Sequence, residues 1–356
     1  MKTAIIGLPM VGKTSLFTIL TGRHESARMG SLEVRTGVAR VPDPRLDALA
    51  EVFQPAKVTH ATMEYLDFPS ISKEALHSPG YLASMRLADA LAHVIRVFPD
   101  DTVPHEKGSI DPMRDLEEVE AELVFSDFMV VEKRLEKLEK DRKKIKDPNL
   151  DREYAVLERA KATLENNRPL REMELSAEEE KRIRGFGFLS QKPILYVFNL
   201  GEEDAPRLHE IEKEFQAKVG ERPRTGVAAI CGKIEAELAE MEPQEAREFL
   251  ASYGFEEPGK ERIIAAGYRL LGLMSFLTAG ETECRAWTIP AGSTALQAAG
   301  TIHTDFEKKF IRAEVADWKT LVEAGGYAGA REKGRLRLEG KDYVVQDGDV
   351  LLIRHG

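Results

Sequence analysis

The chain has only two cysteines, Cys231 and Cys284, which lie far apart. That excludes a disulfide framework and points to a reducing compartment. No run approaches the roughly 20 apolar residues needed to span a bilayer. The apolar start, Thr3 to Val11, is short and interrupted by Gly7 and Pro9, so it reads as a buried strand and not as a signal peptide. Internal repeats and low-complexity tracts are also missing. There is no excess of positive charge: the net charge of −10 argues against a whole-molecule polyanion binder such as a DNA-coating protein. The expected location is therefore the cytoplasm, with no membrane partner. At 356 residues the chain should form two or three units.

What is present is patterned. Lys2 to Ile6 reads as a short buried strand, followed by a glycine loop and an apolar helix from about Thr14 to Thr21. Further apolar segments at Ala61–Asp67, Ala88–Phe98, Pro193–Asn199 and Thr225–Ile230 alternate with helical stretches. An α/β fold follows, with a mostly parallel sheet covered on both faces. Residues 115–185 break the alternation. Val131, Leu135, Leu138, Arg142 and Ile145 make a near-heptad stripe on a highly charged helix. Asp147-Pro148-Asn149 punctuates it, and Tyr154, Leu157, Ala160 and Leu164 mark a second helix, so an inserted antiparallel hairpin is predicted. From Met274 onward short strands alternate with turn signals, as in Arg285–Ile289, Arg335–Leu338, Tyr343–Val345 and Val350–Ile353. The expected domains are 1–114 with 186–273, the hairpin 115–185, and a small α+β domain at 274–356.

The chemistry sits near the N-terminus. Gly7-Leu-Pro-Met-Val-Gly-Lys-Thr14 satisfies the eight-residue phosphate-loop pattern between a strand and a helix. Glycines let successive N–H groups turn inward and form an anion nest capped by a helix N-terminus. Gly7, Pro9, Met10, Val11, Gly12, Lys13, Thr14 and Ser15 are assigned to the nucleotide; Lys13 reaches the β- and γ-phosphates as the catalytic cation, and the Thr14 hydroxyl ligates Mg²⁺. A second Mg²⁺-side acid is needed at the end of a later strand, and Asp67 fits it. In switch enzymes a glycine follows three residues on, where Ser70 stands here. Asn199-Leu-Gly-Glu202 follows another strand, at the place where guanine-specific enzymes keep Asn-Lys-x-Asp. A carboxylate one methylene longer at Glu202 should read guanine poorly, so ATP is expected over GTP. Cys231 and Gly232, after the next strand, are candidate backbone donors to the base. His303 reads as a capping residue, Trp287 and Trp318 as packing, and the basic run Arg142–Lys146 as a solvated face able to touch RNA phosphate.

These motifs resemble those of the YchF family, the Obg-related branch of P-loop NTPases. The resemblance covers nearly the whole chain and rests also on Val41–Asp47, Lys233–Leu238, Phe276–Gly280, Arg285–Trp287, Ala298–Glu307, Phe310–Val315 and Leu338–Asp349. It implies a G domain with an inserted helical hairpin and a C-terminal ubiquitin-like TGS domain, hydrolysis of ATP in preference to GTP, and association with the ribosome, its RNA or its proteins. It also implies that Ile71 replaces the water-orienting glutamine, that His105 matches a loop histidine considered as its catalytic substitute, and that Ser31 falls where a switch threonine would complete the Mg²⁺ shell. The chain departs from the family at Met10 (asparagine in the family), at Asp67-Phe-Pro-Ser70 (Asp-x-Ala-Gly) and at Ala27–Ser31 (Tyr-Pro-Phe-x-Thr). These departures describe a divergent paralogue that binds nucleotide and turns it over slowly. Two other readings stay open: a non-hydrolysing nucleotide-dependent binding module, and a GTPase.

Overall fold

The structure, a computed structural model, describes residues 1–23, 33–71 and 78–356. Ser31 and the rest of Ala27–Ser31 lie outside the described residues, as do Ser72 to His77. The chain forms two compact units, Met1–Gly37 with Glu64–Leu270, and Val38–Met63 with Leu271–Gly356.

The first unit is built on a six-stranded sheet in the order β2-β4-β1-β5-β6-β7. Its strands are β1 (Lys2–Ile6), β2 (Arg35–Arg40), β4 (Thr62–Asp67), β5 (Ala90–Arg96), β6 (Ile194–Asn199) and β7 (Thr225–Ile230). β1 pairs in parallel with both β4 and β5, and β5–β6 and β6–β7 are parallel too. Ala4 to Ile6, Leu91, Ala92, Val197 and Phe198 are almost fully buried, as expected for parallel strands covered on both faces. This topology brings the ends of β1, β4, β6 and β7 to one edge of the sheet, where an α/β fold holds its ligands.

The hairpin comprises Pro112–Lys144 and Pro148–Glu165, with Asp111 and Asp147 as N-caps. Val131, Leu135 and Leu138 pack with Leu157, Ala160 and Leu164 in one buried cluster. The expected stripe ends sooner than predicted. Arg142 lies over the Tyr154 ring and pairs with Asp151, and Ile145, past the helix end, is 59% exposed. Asp127, fully buried on the long helix, accepts bonds from the Leu189 and Ser190 N–H groups and from the Ser190 hydroxyl.

In the second unit β11 (Arg337–Glu339), β10 (Phe310–Asp317), β12 (Asp349–His355), β8 (Leu273–Thr278), β9 (Glu283–Pro290) and β3 (Lys57–Thr59) form a mixed sheet in that order. Its core joins Phe276, Ile289, Ala298, Val315 and Leu351. Val38–Met63, placed in the nucleotide domain on sequence grounds, packs here: β3 pairs with β9, and Arg45 lies 2.9 Å from Asp347. Tyr343–Val345 is not a strand and contributes only a bridge from Val344 to Thr294. His303 caps the helix Thr304–Lys308 through its Nδ1. Trp287 donates to Thr278 and carries Arg285 over its ring.

Burial raises the Asp127 carboxyl to about 6, above the unfolded value of about 3.9. Folding therefore takes up a proton between these values. The group's contribution to stability is fullest below the lower one and is lost as pH rises through the upper one. Urea unfolding is expected to show wild type gaining on Asp127→Asn by up to about 3 kcal/mol as pH falls from 7 to 4. A pH-independent difference would show that the carboxyl titrates normally.

Candidate functional site

The loop after β1 owes its shape to three left-handed residues. Gly7 (φ 146°) and Gly12 (φ 100°) occupy conformations that L side chains rarely adopt, and Met10 (φ 60°) does so with a side chain that is 57% exposed. A Cβ on Gly7 would stand 2.5 Å from the Val94 carbonyl, and one on Gly12 would stand 2.4 Å from Asn199 Nδ2. Both glycines are thus required by close approach as well as by φ. Gly12 is the N-cap of the helix Lys13–Thr21, which has no side-chain cap and no acidic residue in its first turn. Its first N–H groups therefore have no partner from the usual capping devices, and the positive end of the helix faces the loop. That is the physical requirement for an anion site.

Lys13 is nearly buried, with Nζ 2.6 Å from the Leu8 carbonyl and 3.0 Å from Ser70 Oγ. Burial pushes its ammonium down to about 8, an effect that the Asp67 charge opposes. Thr14 Oγ1 donates to Asp67 Oδ2 at 3.3 Å. Asp67 Oδ1 is buried with no hydrogen-bond partner. A hydroxyl and a carboxylate with one unsatisfied oxygen fit a hard divalent cation, and Mg²⁺ needs few protein ligands when phosphate and water complete its shell. No larger cluster of potential metal ligands occurs among the described residues. The segment after Asp67 is fixed onto the loop, since Ile71 donates its N–H to the Gly7 carbonyl and is itself buried.

Asn199 is less a base reader than a strut. Its Nδ2 donates to the Val11 carbonyl at 3.1 Å, and its Oδ1 accepts the Gly232 N–H at 3.0 Å. The Gly232 N–H expected to face a base is therefore engaged, and β6 ties the phosphate loop to the turn after β7. Cys231 is the N-cap residue of the helix Gly232–Leu238, and burial raises its thiol. Glu202, which opens a 3-10 turn, forms an ion pair with Lys233.

His105 is engaged at both ring nitrogens. Nδ1 accepts the Lys107 N–H at 3.1 Å, and Nε2 lies 2.8 Å from Asp115 Oδ2. With Nδ1 accepting, Nε2 carries the proton and donates it to Asp115. Sequence reasoning missed Arg35, whose guanidinium contacts both Thr14 and Asp67. It also missed the use Glu202 makes of Lys233. Arg35 belongs to no spacing pattern, and Glu202 and Lys233 lie in separate motifs, so only the fold brings each to its partner.

Residues 273–356 match the family model YchF-GTPase_C, described as a protein of unknown function (DUF933). Over 363 residues the chain is 42% identical to the ribosome-binding ATPase YchF of Pasteurella multocida, covering 99% of this chain and 98% of that protein. It is 40% identical to the protein of the same name from Bacillus subtilis over 364 residues, 99% of each chain. The chain belongs to the YchF family. A solved structure, that of the Schizosaccharomyces pombe YchF GTPase, superposes with a TM-score of 0.85 at 30% identity, covering 99% of this chain and 97% of that one. The architecture is accordingly that of a P-loop NTPase with a helical insertion and a C-terminal mixed α+β unit. No helix among the described residues is long and apolar enough to cross a membrane.

Replacing Asn199 with alanine leaves the Val11 carbonyl and the Gly232 N–H without their partner. Each such buried group costs about 1–3 kcal/mol, so chemical denaturation should show a loss of about 2 kcal/mol or more, together with weaker nucleotide binding. Unchanged unfolding would show that Asn199 is no strut.

Proposed function

We propose that this chain is a slow, Mg²⁺-dependent nucleoside triphosphatase that prefers ATP to GTP and acts as a cytoplasmic, ribosome-associated switch. The observation that carries the reading is the uncapped helix N-terminus at Gly12, closed over by a left-handed glycine loop with Lys13 at its centre. Backbone N–H groups and Lys13 would hold the β- and γ-phosphates and neutralise the charge that develops on the transferring phosphoryl group. Thr14 and Asp67 would hold Mg²⁺, which when bound supplies further positive charge at the same oxygens. The nucleotide domain is taken as residues 1–37, 64–114 and 186–270, with the hairpin 115–185 as its insertion, and the C-terminal unit, which Val38–Met63 joins, as the TGS domain. The ribosome as that partner rests on the name of the bacterial relatives, ribosome-binding ATPase.

Two features support slow turnover. Ile71, where the resemblance expects the water-orienting position, is buried and apolar, and both ring nitrogens of His105 are engaged locally. These same contacts favour, as the second reading, a module that binds nucleotide without hydrolysing it. Single-turnover hydrolysis of labelled ATP separates the two: phosphate release that depends on Lys13 supports the enzyme, and binding without release supports the module. In calorimetric titration Lys13→Ala should weaken every nucleoside triphosphate by at least about tenfold, the scale of one charge-assisted contact. An unchanged affinity would remove the phosphate-loop assignment.

The preference for ATP rests on Glu202. Paired with Lys233, its carboxylate is a poorer acceptor for the two N–H groups of guanine. Lys233→Ala should therefore shift the ATP:GTP affinity ratio toward GTP by severalfold in competition titrations, and Glu202→Asp should move it the same way. If neither variant moves the ratio, Glu202 does not read the base.

A further inference from the structure

Arg35 opens β2, and its guanidinium sits on the two oxygens that a divalent cation would use. Nη2 lies 3.2 Å from Thr14 Oγ1 and forms an ion pair with Asp67 Oδ2. The guanidinium carbon stands 5.3 Å from the centre of the Phe17 ring, within cation–π range. The pair is largely withdrawn from water, with the Arg35 side chain 13% and Asp67 5% exposed, so solvent and salt screen it less than an ordinary surface bridge.

Thr14 Oγ1 and Asp67 Oδ2 are 3.3 Å apart. Mg²⁺ takes its oxygens at about 2.0–2.1 Å in octahedral array, which places neighbouring ligands roughly 3 Å from each other. The two oxygens are thus spaced almost as adjacent vertices of a metal shell. A guanidinium nitrogen touching both competes with the metal for the same negative charge and for much of the same space. The unpartnered Asp67 Oδ1 shows that the arginine satisfies only part of what the carboxylate offers.

We propose that Arg35 is a resident cation of this site, holding the Mg²⁺ position until the metal displaces it. The inference rests on the phosphate-loop reading and extends it. The metal has to break an ion pair before it binds, while phosphates that arrive without metal already meet a fixed positive charge. Divalent affinity should be low for a site of this kind, and nucleotide binding should depend only weakly on the metal.

The test uses the full chain loaded with ADP and titrated with Mn²⁺, the free ion being read by electron paramagnetic resonance. Arg35→Gln and Arg35→Ala should bind Mn²⁺ about tenfold tighter than wild type or better, the scale of one partly buried ion pair. Both variants should also retain ADP less well when no metal is present. A second measurement needs no variant: in wild type with isotope-labelled arginine, Mg²⁺ should shift the Arg35 Nε–H resonance and leave that of Arg45 unmoved. Equal Mn²⁺ affinities in folded variants, or an Arg35 resonance indifferent to Mg²⁺, would overturn the proposal while Lys13-dependent ADP binding left the site itself standing. ADP binding that ignores Lys13→Ala would instead bring down the phosphate-loop reading beneath it.

Discussion

A helix must find partners for its first N–H groups, and the helix Lys13–Thr21 has neither a side-chain cap nor an acidic residue to supply them. That unmet demand organises the site. The loop must curl so that its own amides add to those of the helix, which confines Gly7 and Gly12 to left-handed backbone that a Cβ would obstruct. Asn199 then holds the curl from outside, reaching from the end of β6 to Val11 on one side and Gly232 on the other. The parallel sheet serves this arrangement by delivering the ends of its strands to one edge, so that a loop after β1, an acid from β4 and an amide from β6 meet although far apart in sequence.

Electrostatics explain the rest of the site's character. A nearly buried ammonium, an Asp67 carboxylate with one satisfied and one unsatisfied oxygen, and an arginine laid across Thr14 and Asp67 make a region rich in opposed charges. Glu202 and Lys233 form a second ion pair, an exposed one, beyond the ends of β6 and β7.

Much of the fold was legible because it rests on local pattern. β1 and β7 begin and end at the residues that the apolar runs suggested, and the hairpin core of Val131, Leu135, Leu138, Leu157, Ala160 and Leu164 follows from helical periodicity. The errors came where no periodicity operates. Ile145 continued the stripe on paper, but the helix had already ended. Tyr343–Val345 had strand composition without a neighbour to extend it beyond a bridge. Val38–Met63 could not be seen to join the C-terminal sheet, because the pairing of β3 with β9 spans more than two hundred residues.

The chain's order of residues alone determined the phosphate loop, since glycine spacing, a lysine and a hydroxyl are local requirements that a strand–loop–helix segment meets by itself. It likewise determined the family, through motifs spread along most of its length. Tertiary structure decided how those residues are occupied. Asn199 became a strut, His105 was locked by Asp115 and Lys107, Glu202 was paired with Lys233, and Arg35 came to lie on Thr14 and Asp67. The reason is physical: a side chain's chemistry belongs to its sequence position, but its partner is whichever group the fold brings within a few ångströms.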